Sequence, residues 1–253
     1  MSDLFDDHAP PSRSPEPEAR DRPLADRLRP GDLSQVIGQA HLLDPEAPLG
    51  RMLAAGQLSS LILWGPPGVG KTTIARLLAD ASDRAFVQIS AIFSGTPELR
   101  KVFDAAKQRR RAGQGTLLFV DEIHRFNKAQ QDGFLPHMED GTIVLVGATT
   151  ENPSFELNRA LLSRAQVLVL NRLDPTALEE LLDRAEATLG RKLPLTEEAR
   201  LSLVEMADGD GRAMLNLVEQ VAFMKVRAPL APKDLASRLQ RRAAQYDKSG
   251  DEH

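Results

Sequence analysis

Lys71 and Thr72 close the run Gly65-Pro66-Pro67-Gly68-Val69-Gly70-Lys71-Thr72, which spells G-x-x-x-x-G-K-[ST] in full and continues into Thr73. Glycines let such a backbone curl until its N–H groups converge on an anion. A helix starting at the lysine adds the positive end of its dipole. In that setting Lys71 reaches the outer phosphates of ATP, and the Thr72 hydroxyl sits on Mg2+. A second set of groups lies in Leu117-Leu118-Phe119-Val120-Asp121-Glu122, an apolar run ending in two acids. Asp121 is suited to hold Mg2+ through water, and Glu122 to polarise an attacking water as general base. A lysine, a hydroxyl and two carboxylates are the parts needed to move a phosphoryl group onto water.

These groups need strands that end at a common edge. Leu61-Ile62-Leu63-Trp64 reads as a short strand running into the loop, and Lys71–Ala81 as a helix with Ile74, Leu77, Leu78 and Ala81 on one face. Further strands are expected at 85–89, 116–120, 143–146 and 166–170. A helix is expected from Thr96-Pro97-Glu98 to about Ala112, with Thr96 as its cap. Apolar strands separated by helices imply a parallel five-stranded sheet covered on both faces. After Asn171 the strand signals cease. Helical patterns at 175–189, 196–207, 211–226 and 232–243 imply a small all-helical lid. The fold class is therefore α/β, a P-loop NTPase sheet followed by a helical domain. The expected divisions are a tail at 1–22, the nucleotide-binding part at 23–172, the lid at 173–244 and a C-terminal tail at 245–253.

Composition narrows the alternatives. The chain has 253 residues, 42% apolar, with no cysteine and a net charge of −4. Disulfides, thiol catalysis and Cys-held metals are excluded, and a reducing cytoplasm suits the composition. No window approaches the length of a membrane span, and no basic region precedes an apolar one as in a secretory signal. The five histidines show no H-E-x-x-H spacing, so the metal expected is nucleotide-bound Mg2+. The first 22 residues carry six acids and three arginines, rich in Pro and Ser; they read as a disordered tail or, around Leu4-Phe5, as a short docking peptide.

Over nearly all of the chain after that tail, the sequence resembles the RarA/MgsA family of AAA+ ATPases, replication-associated recombination proteins related to clamp loaders. The resemblance is carried by Pro23-Leu24-Ala25-Asp26-Arg27-Leu28-Arg29-Pro30, by Val36-Ile37-Gly38-Gln39-Ala40-His41-Leu42-Leu43 and by the phosphate loop. It continues in Asp121-Glu122-Ile123-His124-Arg125-Phe126-Asn127-Lys128 and in Gly147-Ala148-Thr149-Thr150-Glu151-Asn152-Pro153-Ser154-Phe155. It implies that Thr150 orients the water and reads the γ-phosphate, that Arg164 is an arginine finger for a neighbouring subunit's nucleotide, and that Arg212 is a second sensor on the lid. It also implies that Arg29, Pro30, Val36 and Ile37 pack on adenine. Ala165 stands where clamp-loader relatives usually have cysteine. Family members continue beyond the position of His253 into a tetramer-forming helical region, so a truncated chain with impaired assembly is expected.

The same resemblance implies a DNA-dependent ATPase of replication-fork maintenance and recombination, nucleoid-associated, with single-strand-binding protein among its partners. Candidate DNA contacts are the backbone at Ser94-Gly95-Thr96 with Arg100 and Lys128, directed at phosphates and independent of base sequence. Arg100, Lys101, Lys107, Arg109, Arg110 and Arg111 otherwise read as a solvated helix face. Two alternatives stay open: an ATP-gated binding switch, or a clamp-loader subunit or branch-migration motor of the same fold.

Overall fold

The computed structural model describes residues 22–249, with side chains through 240. Three short helices lead in, α1 (Leu24–Arg27), α2 (Ala40–Leu43) and α3 (Pro48–Ala54). Then β1 (Leu61–Trp64), α4 (Lys71–Ala81), β2 (Arg84–Ser90), α5 (Thr96–Arg111) and β3 (Gly115–Asp121) alternate. The short helices α6 (Lys128–Asp132) and α7 (Leu135–Glu139) precede β4 (Val144–Thr149), and α8 (Pro153–Glu156) and α9 (Arg159–Leu162) precede β5 (Gln166–Val169). Four helices finish the described chain: α10 (Pro175–Leu189), α11 (Glu197–Ala207), α12 (Gly211–Ala222) and α13 (Pro232–Ser249). The strands form one sheet in the order β2-β3-β4-β1-β5, all paired parallel.

The continuous apolar runs follow from this burial on both faces. Alternate residues of each strand feed opposite layers. Leu61, Leu63, Leu117, Phe119, Val146 and Ala148 pack with Ile74 and Leu78 of α4. Ile62, Leu118, Val120 and Leu145 pack on the other side with Leu99 and Phe103 of α5 and with Phe134. The helical part has its own core, in which Leu178, Leu182, Leu203, Met214, Val218 and Leu235 meet. Leu24 belongs to that core although it precedes the sheet in sequence, and its N–H donates to Glu219 Oε1 across 2.5 Å. The N-terminal segment thus straps the lid to the sheet.

Several boundaries differ from the expected ones. Strand β4 runs on to Thr149, past a glycine that packing requires: a side chain at Gly147 would meet Ile123 and Ile62 at 2.8 and 2.9 Å. Helix α5 is capped by Gly95 rather than Thr96, and α13 continues past residue 243 to Ser249. The expected tail at 1–22 lies outside the described residues except for Arg22, as does the last part of the C-terminal tail. Among the described residues no helix is long and apolar enough to cross a membrane.

A candidate nucleotide site

The phosphate loop joins β1 to α4 at the C-terminal edge of the sheet, where ligands of parallel sheets bind. Two of its glycines hold conformations that side chains resist. Gly70, with φ 98°, caps α4 without a side chain, and Gly68 has φ 70°. Helix α4 therefore begins at Lys71 with its first N–H groups directed toward the loop. Lys71 is 8% exposed, and its ammonium donates to the carbonyls of Gly65 at 2.6 Å and Pro66 at 2.7 Å. Burial lowers its pKa from the ordinary lysine value. The negative charges of Glu122 and Asp121 oppose that shift, and Arg212 adds to it.

The carboxylates arrive on the next strand but one. Asp121 ends β3 and pairs in register with Ser90 of β2, and its carbonyl accepts from Ala91 N–H at 2.9 Å. Glu122 then takes a left-handed backbone, φ 52° and ψ 45°, which is costly for a residue with a Cβ. The turn lets adjacent acids both reach one cavity. Thr150 directly follows β4 and lines the same space.

That space is a cavity of about 280 Å³. Its wall includes Pro67, Gly68, Val69, Gly70, Lys71, Thr72 and Thr73, with Asp121, Glu122, Thr150 and Arg212. Arg29, Pro30, Val36 and Ile37 line it too, joined by Leu28, Leu173, Leu181 and Leu215. Polar and cationic groups beside apolar side chains suit the phosphates and base of a nucleotide. Among the described residues no group of three or more His, Cys, Asp or Glu could hold a metal by itself. Mg2+ that arrives on phosphates and takes only Thr72 and Asp121 from the protein fits this donor set.

Nearly all the expected site residues thus surround one cavity. Gly65 and Pro66 sit behind it and serve it through the carbonyls that hold Lys71. Arg164 lies elsewhere: at the end of α9 it bonds Glu139 Oε1 through Nε and Nη2, both at 2.6 Å, and is about 39% exposed. Of the DNA candidates, Lys128 and Arg100 are exposed and Ser94 is buried. Phe93, beside Ser94, is 88% exposed, an aromatic surface that composition alone did not suggest.

Sequence patterns missed four participants. Arg184 of α10 lines the cavity and donates to Gln35 O at 2.6 Å, tying the lid to the N-terminal segment. Asp210 caps α12 by accepting from Arg212 and Ala213 N–H, and its carboxylate lies against Gly68. Gly211 N–H donates to Gly68 O at 3.2 Å, so the lid helix is bonded to the phosphate loop itself. Buried Gln39 holds both backbone groups of Asn171, donating to its carbonyl at 2.8 Å and accepting from its N–H at 3.1 Å. The lining leucines of the lid carry the helical periodicity of a core face, which conceals a second role.

The fold and this site define a P-loop nucleotide-binding module of the AAA class. The family model for the ATPase family associated with various cellular activities matches residues 61–173, and that for the AAA C-terminal domain matches 189–253. Within that class, the chain belongs to the replication-associated recombination protein A family. It is 48% identical over 240 residues to that protein of Escherichia coli K12, covering 91% of this chain and 54% of the relative. It is 41% identical over 253 residues to the ATPase WRNIP1 of Dictyostelium discoideum, covering 90% of this chain and 29% of the relative. The chain spans about half the length of the bacterial relatives it matches. The Thermotoga maritima RuvB Holliday junction branch migration motor superposes with a TM-score of 0.70 at 26% identity, over 85% of this chain and 72% of that one.

Proposed function

We propose that this chain hydrolyses ATP with Mg2+ and that DNA stimulates the reaction, in the service of replication-fork maintenance and recombination. The observation that carries the proposal is the convergence of Lys71, Thr72, Asp121, Glu122, Thr150 and Arg212 on one cavity that Val36, Ile37 and Leu215 also line. In this reading the loop N–H groups and Lys71 hold the β- and γ-phosphates, with Lys71 exchanging its loop carbonyls for phosphate oxygens. Mg2+ supplies charge neutralisation of the phosphates when bound. Glu122 takes a proton from the attacking water, Thr150 orients that water, and Arg212 draws the lid onto the γ-phosphate. Arg29, Pro30, Val36 and Ile37 flank adenine. The names of the relatives support the DNA part, and Lys128 and Arg100 beside the backbone at Ser94-Gly95-Thr96 are the proposed phosphate contacts. A cytoplasmic, nucleoid-associated location follows from that partner, and single-strand-binding protein is a proposed protein partner.

The test is turnover with and without single-stranded, duplex and forked DNA, beside Lys71→Ala and Glu122→Gln. Turnover should rise with DNA, and Glu122→Gln should lower it about 10²- to 10⁴-fold while still binding ATP. Turnover indifferent to both substitutions would sink the proposal.

A further inference from the structure

One histidine side chain buried beside the cavity lies near both a hydroxyl and a carboxylate. His124 Nδ1 is 3.0 Å from Thr149 Oγ1 and 3.4 Å from Glu122 Oε2, and its side chain is 6% exposed. Thr149 is fully buried, and its hydroxyl is already engaged with the residue two further on: it accepts from Glu151 N–H at 3.0 Å and donates to Glu151 O at 3.2 Å. A hydroxyl has one hydrogen and two lone pairs. The tautomer with hydrogen on Nδ1 lets Thr149 accept from His124 while keeping its own hydrogen on Glu151 O. That N–H then lies between the Thr149 hydroxyl and the Glu122 carboxylate, nearer the first.

The placement links two parts of the cavity wall. Strands β3 and β4 are neighbours, with Val120 paired to Gly147, so Glu122 and Thr149 follow at adjacent strand ends. The Thr149–Glu151 bonds close a turn around Thr150, which lines the cavity. Any shift of Thr150 against a ligand moves Thr149, and that changes how the His124 hydrogen is shared. As the hydrogen moves toward Glu122 its carboxylate is held back; as it moves toward Thr149 the carboxylate is freed for water.

We propose that His124 is a positioning residue that couples the orientation of Glu122 to the Thr149–Thr150–Glu151 turn. The proposal rests on the hydrolytic role given to Glu122 above. Neither His124 nor Thr149 lines the cavity, so both act through their neighbours.

The experiment compares His124→Leu, His124→Asn, Thr149→Val and Thr149→Ser in the 253-residue chain, each checked for its thermal midpoint. Two readouts are taken: kcat and KM for ATP, and the ratio of Kd for ADP to Kd for ATPγS from Trp64 fluorescence. His124→Leu and Thr149→Val should each lower kcat about tenfold with KM little changed, the size of a contact-level coupling. The double variant should be no slower than either single one, because each breaks the same connection. His124→Asn, which keeps a donor near Nδ1, and Thr149→Ser should recover most of the rate. Both damaging variants should also weaken the preference for ATPγS. Wild-type kcat and wild-type nucleotide preference in His124→Leu would overturn the coupling. If instead turnover of the unmodified chain ignores Glu122→Gln, the hydrolytic reading fails. The coupling is then judged by binding alone: Glu122→Gln must shift nucleotide preference in the presence of His124 and leave it unchanged in the His124→Leu background.

Discussion

At the scale of single residues, the site holds buried charge that is satisfied only locally. Lys71 is kept between two carbonyls of its own loop, where burial lowers its pKa. Its ammonium is costly to bury against the loop carbonyls and rewarding only when phosphate replaces them. Lys71→Met should therefore leave the thermal midpoint of the nucleotide-free chain equal or higher. ATP affinity should fall roughly 10- to 100-fold, the equivalent of one charge-assisted hydrogen bond. Thermal denaturation and Trp64 titration measure the two, and a lower midpoint would show that Lys71 supports the fold rather than the ligand. Glu186 in the lid behaves oppositely. It is 2% exposed, and burial pushes its pKa up, but the Lys192 ammonium, the Leu193 N–H and Arg200 outweigh that and leave it lowered below 4.5. Below that value the unfolded chain takes up the proton first, so the stability Glu186 contributes is present above about pH 4.5 and lost as pH falls through its folded pKa. Glu186→Gln should cost on the order of 1–3 kcal/mol at pH 7, a shift of several degrees. The gap should close in acid; a gap constant with pH would mean that packing, not charge, is what Glu186 provides.

At the scale of elements, the contact that ties lid to loop is the one most exposed to a single atom. A Cβ at Gly68 would lie 1.7 Å from Asp210 Oδ1, at a φ of 70° that L side chains resist. Gly68→Ala must therefore push Asp210 from its place as the cap of α12, at a cost of about 1 kcal/mol for the cap and about 1–2 kcal/mol for the backbone. Asp210→Gly in the same chain removes the clash, so the double variant should be less destabilised than the sum of the two singles. Additive costs in denaturant titrations would show that the two do not meet. What sequence could and could not reveal divides along the same line. Strands β1 and β3 were legible because burial on both faces makes each a continuous apolar run, and Lys71, Asp121 and Glu122 were legible because they sit at fixed offsets from those runs. The expected end of β4 at 146 falls short because Gly147 interrupts the apolar run, although its smallness makes room for Ile123 and Ile62. The clamp of Gln39 on Asn171 spans 132 residues, and no local pattern encodes such a contact. Nothing local marks Asp210 as a partner of the phosphate loop or Glu186 as buried, because a side chain's burial depends on what the rest of the chain lays over it.

At the scale of the whole molecule, the cavity is lined by every expected side chain of the chemistry except one. Arg164 does not line it, and its guanidinium is held by Glu139 with Ala160 O and Ser163 Oγ also within bonding distance. An exposed ion pair of this kind contributes little, about 0–1 kcal/mol, so Arg164 is available to a stronger anion at small cost. If it serves as an arginine finger, that anion is the nucleotide of a neighbouring copy, and the rate per chain must rise with protein concentration. Arg164→Ala should then lower kcat about 10³-fold or more with little change in ATP affinity, because the chain's own binding groups are untouched. Mixing supplies the decisive comparison. Arg164→Ala chains have an intact cavity and no finger, whereas Lys71→Ala chains have a finger and a crippled cavity. An equimolar mixture should turn over ATP faster than the sum of its parts, since each Lys71→Ala chain can complete the site of an Arg164→Ala neighbour. A mixture that gives only the sum, with a rate per chain flat across concentration, would confine Arg164 to its pair with Glu139 and leave hydrolysis to the groups of one cavity.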